Sequence, residues 1–170
     1  MKVAFVAGFG PIIREAGAAH AFWRDGLGIA FDEPAPGYFT NDDLDGVNAF
    51  AMWPLSQAAE ATFGVATWPE EVPTPQAWIE LDVESAEAVG ESVAEMAASG
   101  HRVLREAHEE PWGQTTARLI SPEGLLVGIT FTPWMHDHDE HDHDEHDHDH
   151  DHDHDEHDHD EHDHDHARDH

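Results

Sequence analysis

Glu110-Pro111-Trp112-Gly113-Gln114-Thr115-Thr116-Ala117-Arg118-Leu119-Ile120 leads into Ser121-Pro122-Glu123-Gly124, and Leu125-Leu126-Val127-Gly128-Ile129-Thr130-Phe131-Thr132 follows. Pro and Gly on either side of Trp112 mark a turn. Gln114 to Ile120 then reads as a strand, with Gln114, Thr116 and Arg118 on one face because side chains alternate along a strand. Ser-Pro-Glu-Gly has the residues of a hairpin turn. Leu125 to Thr132 reads as the strand that returns from it.

Upstream of this hairpin, Ala77 to Val83 alternates cleanly. Ala77, Ile79, Leu81 and Val83 fall on one face, and Gln76, Trp78, Glu80 and Asp82 on the other. Ser85 then caps a helix running to about Ser99, its stripe Ala86, Val89, Val93, Met96 and Ala97, and Gly100 closes it. His101 to Glu106 is a further strand. The first half has the same order of elements. Val3 to Gly8 reads as a strand ended by Gly10-Pro11, and the spacing predicts a helix over Ile12 to Leu27, stopped by Gly26 and Gly28. Extended pieces follow at Ile29–Phe31 and Gly37–Thr40, and a strand at Val47–Trp53. Leu55 to Phe63 reads as a short helix, and Trp68 to Pro75, with three prolines, as a linker. The order strand, helix, three strands therefore occurs twice, an internal duplication of a βαβββ unit.

The Pro-Trp-Gly segment, the strand after it, the Ser-Pro-Glu-Gly turn and the last strand resemble the closing strands of the vicinal oxygen chelate superfamily, which holds glyoxalases, bleomycin-resistance proteins and extradiol dioxygenases. Phe22-Trp23-Arg24-Asp25-Gly26-Leu27-Gly28 is similar to that family's aromatic first helix and its Leu-Gly exit. The resemblance implies an α+β fold of two tandem βαβββ modules, about 1–64 and 76–134, forming a curved sheet around a cavity. It also implies a homodimer. In metal-dependent members four inward side chains bind a divalent ion that two substrate oxygens chelate, which stabilises an enolate or activates oxygen.

Carried over residue by residue, the four chelate positions fall at Gly128, Trp78 and, in the first module, near Ala4 and Ala49. None offers a donor atom, so no metal is expected in the core cavity. Glu80 shares the inward face with Trp78 and is the catalytic candidate. It reads either as a general base or anchor for a cationic ligand, or as a solvated glutamate on an open sheet. Trp53, Trp78 and Trp112 are candidates to stack on a planar ligand, though Pro-Trp-Gly also suits a structural plug. Arg118 can pair with Glu80, with a ligand anion, or in a surface ion pair. His20, His101 and His108 read as packing or surface histidines.

Charge and composition divide the chain. Of 18 histidines, 15 lie from His136 onward, and 18 of the 38 acidic residues accompany them. The domain, 1–134, carries a formal charge of −14 and the segment 135–170 carries −17. Neither half offers the positive surface that DNA, RNA or an anionic membrane requires. There is no cysteine, which excludes disulfides and thiolate metal sites. No segment reads as a signal peptide or a membrane span, and a cytoplasmic location follows by default.

The tail has nothing apolar to bury and is expected to be disordered. Its ligand candidates are His136, His138, His141, His143, His146, His148, His150, His152, His154, His157, His159, His162, His164 and His166. Imidazoles alternating with carboxylates suit Zn, Ni, Co or Cu ions, with Cu²⁺ bound most tightly. Neighbouring carboxylates raise imidazole basicity, so uptake is expected to weaken below about pH 6. Three functions follow: a cavity that binds a small molecule without the chelate metal, beside a metal-binding tail; a metal-dependent lyase, isomerase or dioxygenase supplied by the tail; or a metal store or chaperone.

Overall fold

A computed structural model of the chain describes residues 1–136. The histidines expected to bind metal from His138 onward lie outside the described residues.

The strands are β1 (Phe5–Ile13), β2 (Asp32–Ala35), β3 (Tyr38–Asn41), β4 (Phe50–Pro54), β5 (Ala77–Asp82), β6 (Val103–Glu109), β7 (Thr115–Ile120) and β8 (Leu126–Phe131). They form one curved, unclosed sheet in the order β2-β3-β4-β1-β5-β8-β7-β6. Each module contributes four strands, and each pairs its first strand with its last in parallel, β1 with β4 and β5 with β8. The modules meet where β1 and β5 run antiparallel, with Gly8 opposite Glu80 and Gly10 opposite Trp78. This mirror-like order is the duplication inferred from the sequence.

Helix α1 (Ala16–His20) continues as a π-helical stretch, Ala21–Gly26, in which the Leu27 N–H reaches the Phe22 carbonyl five residues back, at 3.1 Å. The expected helix thus starts later than Ile12. Ile12 and Ile13 belong to β1, buried against β4 opposite Trp53 and Pro54. Gly10-Pro11 does not end the strand. A proline removes only one donor from the ladder, and the bonds from Phe9 N–H to Ala49 and from Ile12 N–H to Gln76 hold the chain on either side. Pro34 is tolerated within β2 because that strand lies at the sheet edge.

Helix α2 (Leu55–Phe63) has the expected bounds. The segment after it is irregular but more than a linker. Trp68 and Val72 are buried with Ala58, Ala59, Trp78 and Leu126, and the Trp68 indole donates to the Val72 carbonyl. Helix α3 (Ala86–Ala98) starts as expected, with the Ala88 N–H donating to the Ser85 hydroxyl at 3.2 Å. Val89 and Val93 pack its inner face on Val83, Ala117, Leu119 and Ile129, the convex side of the second module. Helix α4 (Pro133–His136) extends the folded part past the expected boundary at 134. His136, assigned to the tail from its sequence, sits against the core. Among the described residues no helix is long and apolar enough to cross a membrane.

Candidate functional site

The alternation of β5 and β7 builds the concave face. Trp78, Glu80 and Asp82 project from β5, and Thr116 and Arg118 from β7 with Gln114 just before it. Lateral register aligns Gly8, Glu80, Gly128 and Arg118 as one rung across the sheet. Its two glycines have a steric cause. A Cβ on Gly128 would lie 2.8 Å from the Glu80 Cγ, and one on Gly8 would lie 2.6 Å from the Trp78 ring. The large β5 side chains therefore lie over residues that have none. Gly8→Ala is expected to lower stability by roughly 1–3 kcal/mol, the usual effect of overpacking, because the Trp78 ring is buried and its indole is tied to the Ala51 carbonyl at 3.2 Å. Urea denaturation checks this, and an unchanged midpoint would show that the ring has room to move.

The face opens into a cavity of about 1480 Å³. All five sequence-derived ligand candidates, Trp53, Trp78, Glu80, Trp112 and Arg118, line it, joined by Tyr38, Gln57, His108, Glu110 and Gln114. Trp53 and Trp78 meet edge to face, 5.8 Å between centroids. Trp112 is 54% exposed and its indole donates to Gln114 Oε1 at 3.0 Å, so it is a rim residue rather than a buried plug.

Arg118 is buried, and the expectations that paired it with Glu80 or placed it in a surface ion pair are corrected. Its Nη2 lies 2.6 Å from Glu110 Oε1, its Nη1 donates to the Ala61 carbonyl at 3.1 Å, and its guanidinium lies 5.5 Å from the Trp53 ring centroid. Burial selects the nearest carboxylate that is also buried, and that is Glu110. The Nη2–Oε1 approach is short but poorly angled, so both atoms remain without an aligned hydrogen bond. His108, read as a surface residue, reaches the same Glu110 oxygen at 3.2 Å.

Glu80 is not a freely solvated glutamate. Its Oε2 accepts from Gln114 Nε2 at 3.1 Å, and the same nitrogen donates to Thr132 Oγ1 at 3.0 Å. Burial pushes its carboxyl above the ordinary glutamate value. The Arg118 charge and the Gln114 bond oppose that shift, while Glu110 and Asp82 add to it. Tyr38 is raised by burial and then by the charges of Glu80 and Asp42, so its phenol stays protonated. At the end of β5, Asp82, fully buried, accepts the Thr132 N–H and meets His136 Nε2 at 2.6 Å. Burial raises its carboxyl, and His136 and Thr132 pull it back.

The wall carries five carboxylates, Asp42, Glu60, Glu80, Glu109 and Glu110, against Arg105 and Arg118, and Arg118 is taken by Glu110. The cavity is acidic and aromatic together. Ala4, Ala49 and Trp78 of the inferred chelate positions line it, and Gly128 lies beneath Glu80. These side chains carry no donor that fits the superfamily's divalent ion. Among the described residues no group of three or more His, Asp or Glu is arranged to hold a metal. His20 packs edge-on against Phe39, centroids 4.1 Å apart, as a packing histidine does, and His101 is exposed. The sequence reading missed Glu110, Gln114, His108 and Tyr38 as members of the site. For Gln114, the alternation with Arg118 was the available signal.

No protein-family model matches the chain, and no curated protein matches it. Solved structures do. A glyoxalase/bleomycin resistance protein/dioxygenase superfamily member from Vibrio splendidus 12B01 superposes with a TM-score of 0.51 at 17% identity, over 75% of this chain and 98% of that one. A protein described as an NAD-dependent benzaldehyde dehydrogenase from Legionella pneumophila gives 0.50 at 14% identity, over 73% and 96%. Identities this low establish the fold alone. The chain has the glyoxalase/bleomycin-resistance/dioxygenase fold.

Proposed function

We propose that this chain uses the glyoxalase/bleomycin-resistance fold to bind a flat organic cation, such as a protonated amine on an aromatic scaffold, in an acidic cavity that works without the chelate metal. The observation that carries this reading is Glu80, a carboxylate on an aromatic floor with no Lys or Arg paired to it among the described residues. A bound ammonium would supply the missing counter-charge. Trp53, backed edge to face by the buried Trp78, offers the ring on which a planar cation stacks, an interaction worth about 0.5–2 kcal/mol. Trp112 and Tyr38 close the sides, and the unaligned Arg118–Glu110 corner offers a donor and an acceptor to a polar substituent.

The test is calorimetric titration of the chain with a panel of aromatic amines and aromatic carboxylates of matched size. Cations are expected to bind and carboxylates to bind at least tenfold more weakly, with Trp53→Ala lowering cation affinity by roughly threefold to thirtyfold. Preference for the carboxylates would overturn the reading.

The tail completes the proposal as a binder of Zn, Ni, Co or Cu ions, supported by its alternating imidazoles and carboxylates. A homodimer is part of the same reading. Val6 at 39%, Phe9 at 42% and Phe22 at 59% exposure leave apolar side chains uncovered on the outer face of the first module. Sedimentation showing only monomer at micromolar concentration would remove the dimer.

A further inference from the structure

We infer that Gln114 decides which cations the cavity admits: by occupying one oxygen of Glu80 it leaves a single-point anchor, which suits a compact ammonium and disfavours a forked amidinium or guanidinium. This rests on the reading of the cavity as a site for an organic cation. Glu80 Oε2 accepts from Gln114 Nε2 at 3.1 Å. Among the described residues no group donates to Oε1, and that oxygen is not sealed from the cavity that Glu80 lines. Beneath it Gly128 has no side chain; a Cβ there would lie 3.5 Å from Oε1 and 2.8 Å from Cγ. The carboxylate therefore rests on bare backbone, with one oxygen committed and one open.

The Gln114 amide can sit only one way round. An indole nitrogen only donates, so Trp112 Nε1, 3.0 Å away, requires Gln114 Oε1 on its side. Both amide hydrogens then lie on the other side, one for Glu80 and one for Thr132 Oγ1 at 3.0 Å. Turning the amide over would set its oxygen against the carboxylate. Gln114 and Thr132 are both buried, so no water takes up a released bond. The backbone holds the residue as well. The Glu110 N–H donates to the Gln114 carbonyl at 2.8 Å, and the Gly113 N–H returns to the Glu110 carbonyl at 2.9 Å. Gln114 is thus a positioning residue, acting on the ligand through Glu80.

An amidinium or guanidinium gains most from a carboxylate through a fork, two parallel N–H···O bonds that use both oxygens. Against Glu80 such a cation meets one free oxygen, and its second N–H points at the Gln114 amide, itself a donor. A donor facing a donor in a buried place loses its water without replacement. An ammonium puts one N–H on Oε1 and turns the others toward the open cavity. The other carboxylates of the wall do not restore the fork. Glu110 already faces Arg118 and His108, and Asp42, Glu60 and Glu109 are exposed, where an ion pair contributes little.

The test is calorimetric titration of the full chain with benzylamine and benzamidine, both cationic at pH 7 and alike in size, with benzoate as the reference. The wild type is expected to bind benzylamine roughly tenfold tighter than benzamidine. Gln114→Met keeps the length of the side chain and releases Oε2. It is expected to shrink that preference to about threefold or less, through tighter benzamidine binding. A merely structural role of Gln114 would weaken both cations together and leave their ratio unchanged. Benzamidine binding as tightly as benzylamine in the wild type overturns the inference, and this comparison carries the test if Gln114→Met does not fold. An unchanged ratio in the folded variant overturns it too. In either case, benzylamine still binding better than benzoate leaves the cation reading standing. Benzoate binding as well as both cations overturns that reading and this inference with it.

Discussion

Arg118→Met is expected to destabilise the fold by about 3–5 kcal/mol, the range for breaking a buried ion pair by removing one partner, and to lower Tm by roughly 10–20 °C. The effect is large because the guanidinium serves three elements together. It compensates Glu110, which is buried before β7; it caps the Ala61 carbonyl of α2; and it stacks on Trp53 of β4. Two of these contacts reach out of the second module, so Arg118 fixes α2 and the first module to the second. Arg118→Lys keeps the charge but not the planar fork, and an ammonium cannot reach Glu110 and Ala61 in the same geometry. It should recover less than half of the loss. The double variant Arg118→Met/Glu110→Gln removes the uncompensated carboxylate and is expected to be more stable than Arg118→Met alone. Urea denaturation of the four proteins reads all of this. A single Arg118→Met within 1 kcal/mol of wild type would show that the pair is dispensable to the fold.

The module order was legible in the sequence because periodicity and turn chemistry agree there. In the second module Ser85, Gly100 and the Ser121–Gly124 turn sit at element boundaries, and the alternation of Ala77–Val83 assigns Trp78 and Glu80 to one face. The first module was read less well. Ile12 and Ile13 fit a helical stripe as well as the end of a strand, and only pairing with β4 and β5 decides between them. Trp68 to Pro75 looks like a linker because its prolines are conspicuous, yet Trp68 and Val72 fill space beneath α2. In the site, inward direction was legible and partner choice was not. Alternation aims Arg118 at the cavity, but Glu110 becomes its partner through the turn at Pro111–Gly113, whose path the sequence does not specify. The docking of His136 was hidden for the same reason: its partner lies 54 residues earlier.

Glu80→Gln is expected to weaken binding of an aromatic amine by roughly 10–100-fold, the equivalent of a charge-assisted hydrogen bond worth about 1.5–3 kcal/mol, while making the unliganded protein more stable. Both effects come from the same cause. Burial raises the Glu80 carboxyl in the folded chain above its unfolded value, so the folded state holds that proton more tightly than the unfolded one. The associated stability is present at low pH and is lost as pH rises through the folded value, which makes ionised Glu80 a cost to the empty protein at neutral pH. Glutamine keeps the shape and can still accept from Gln114, so the variant loses the charge and little else. Its Tm should exceed that of wild type at pH 7, with the difference closing in acid. Binding runs the other way. The wild-type cavity needs the carboxylate, so cation affinity should fall on acidification with a midpoint above the ordinary glutamate value of about 4.3, and Glu80→Gln should bind weakly at every pH. A variant that loses stability at pH 7 would assign Glu80 to the structural network of Gln114 and Thr132. A variant that binds amines as wild type does, with no pH dependence in either protein, would remove Glu80 as the anchor and return the cavity's acidity to a general surface property of a chain that is acidic throughout.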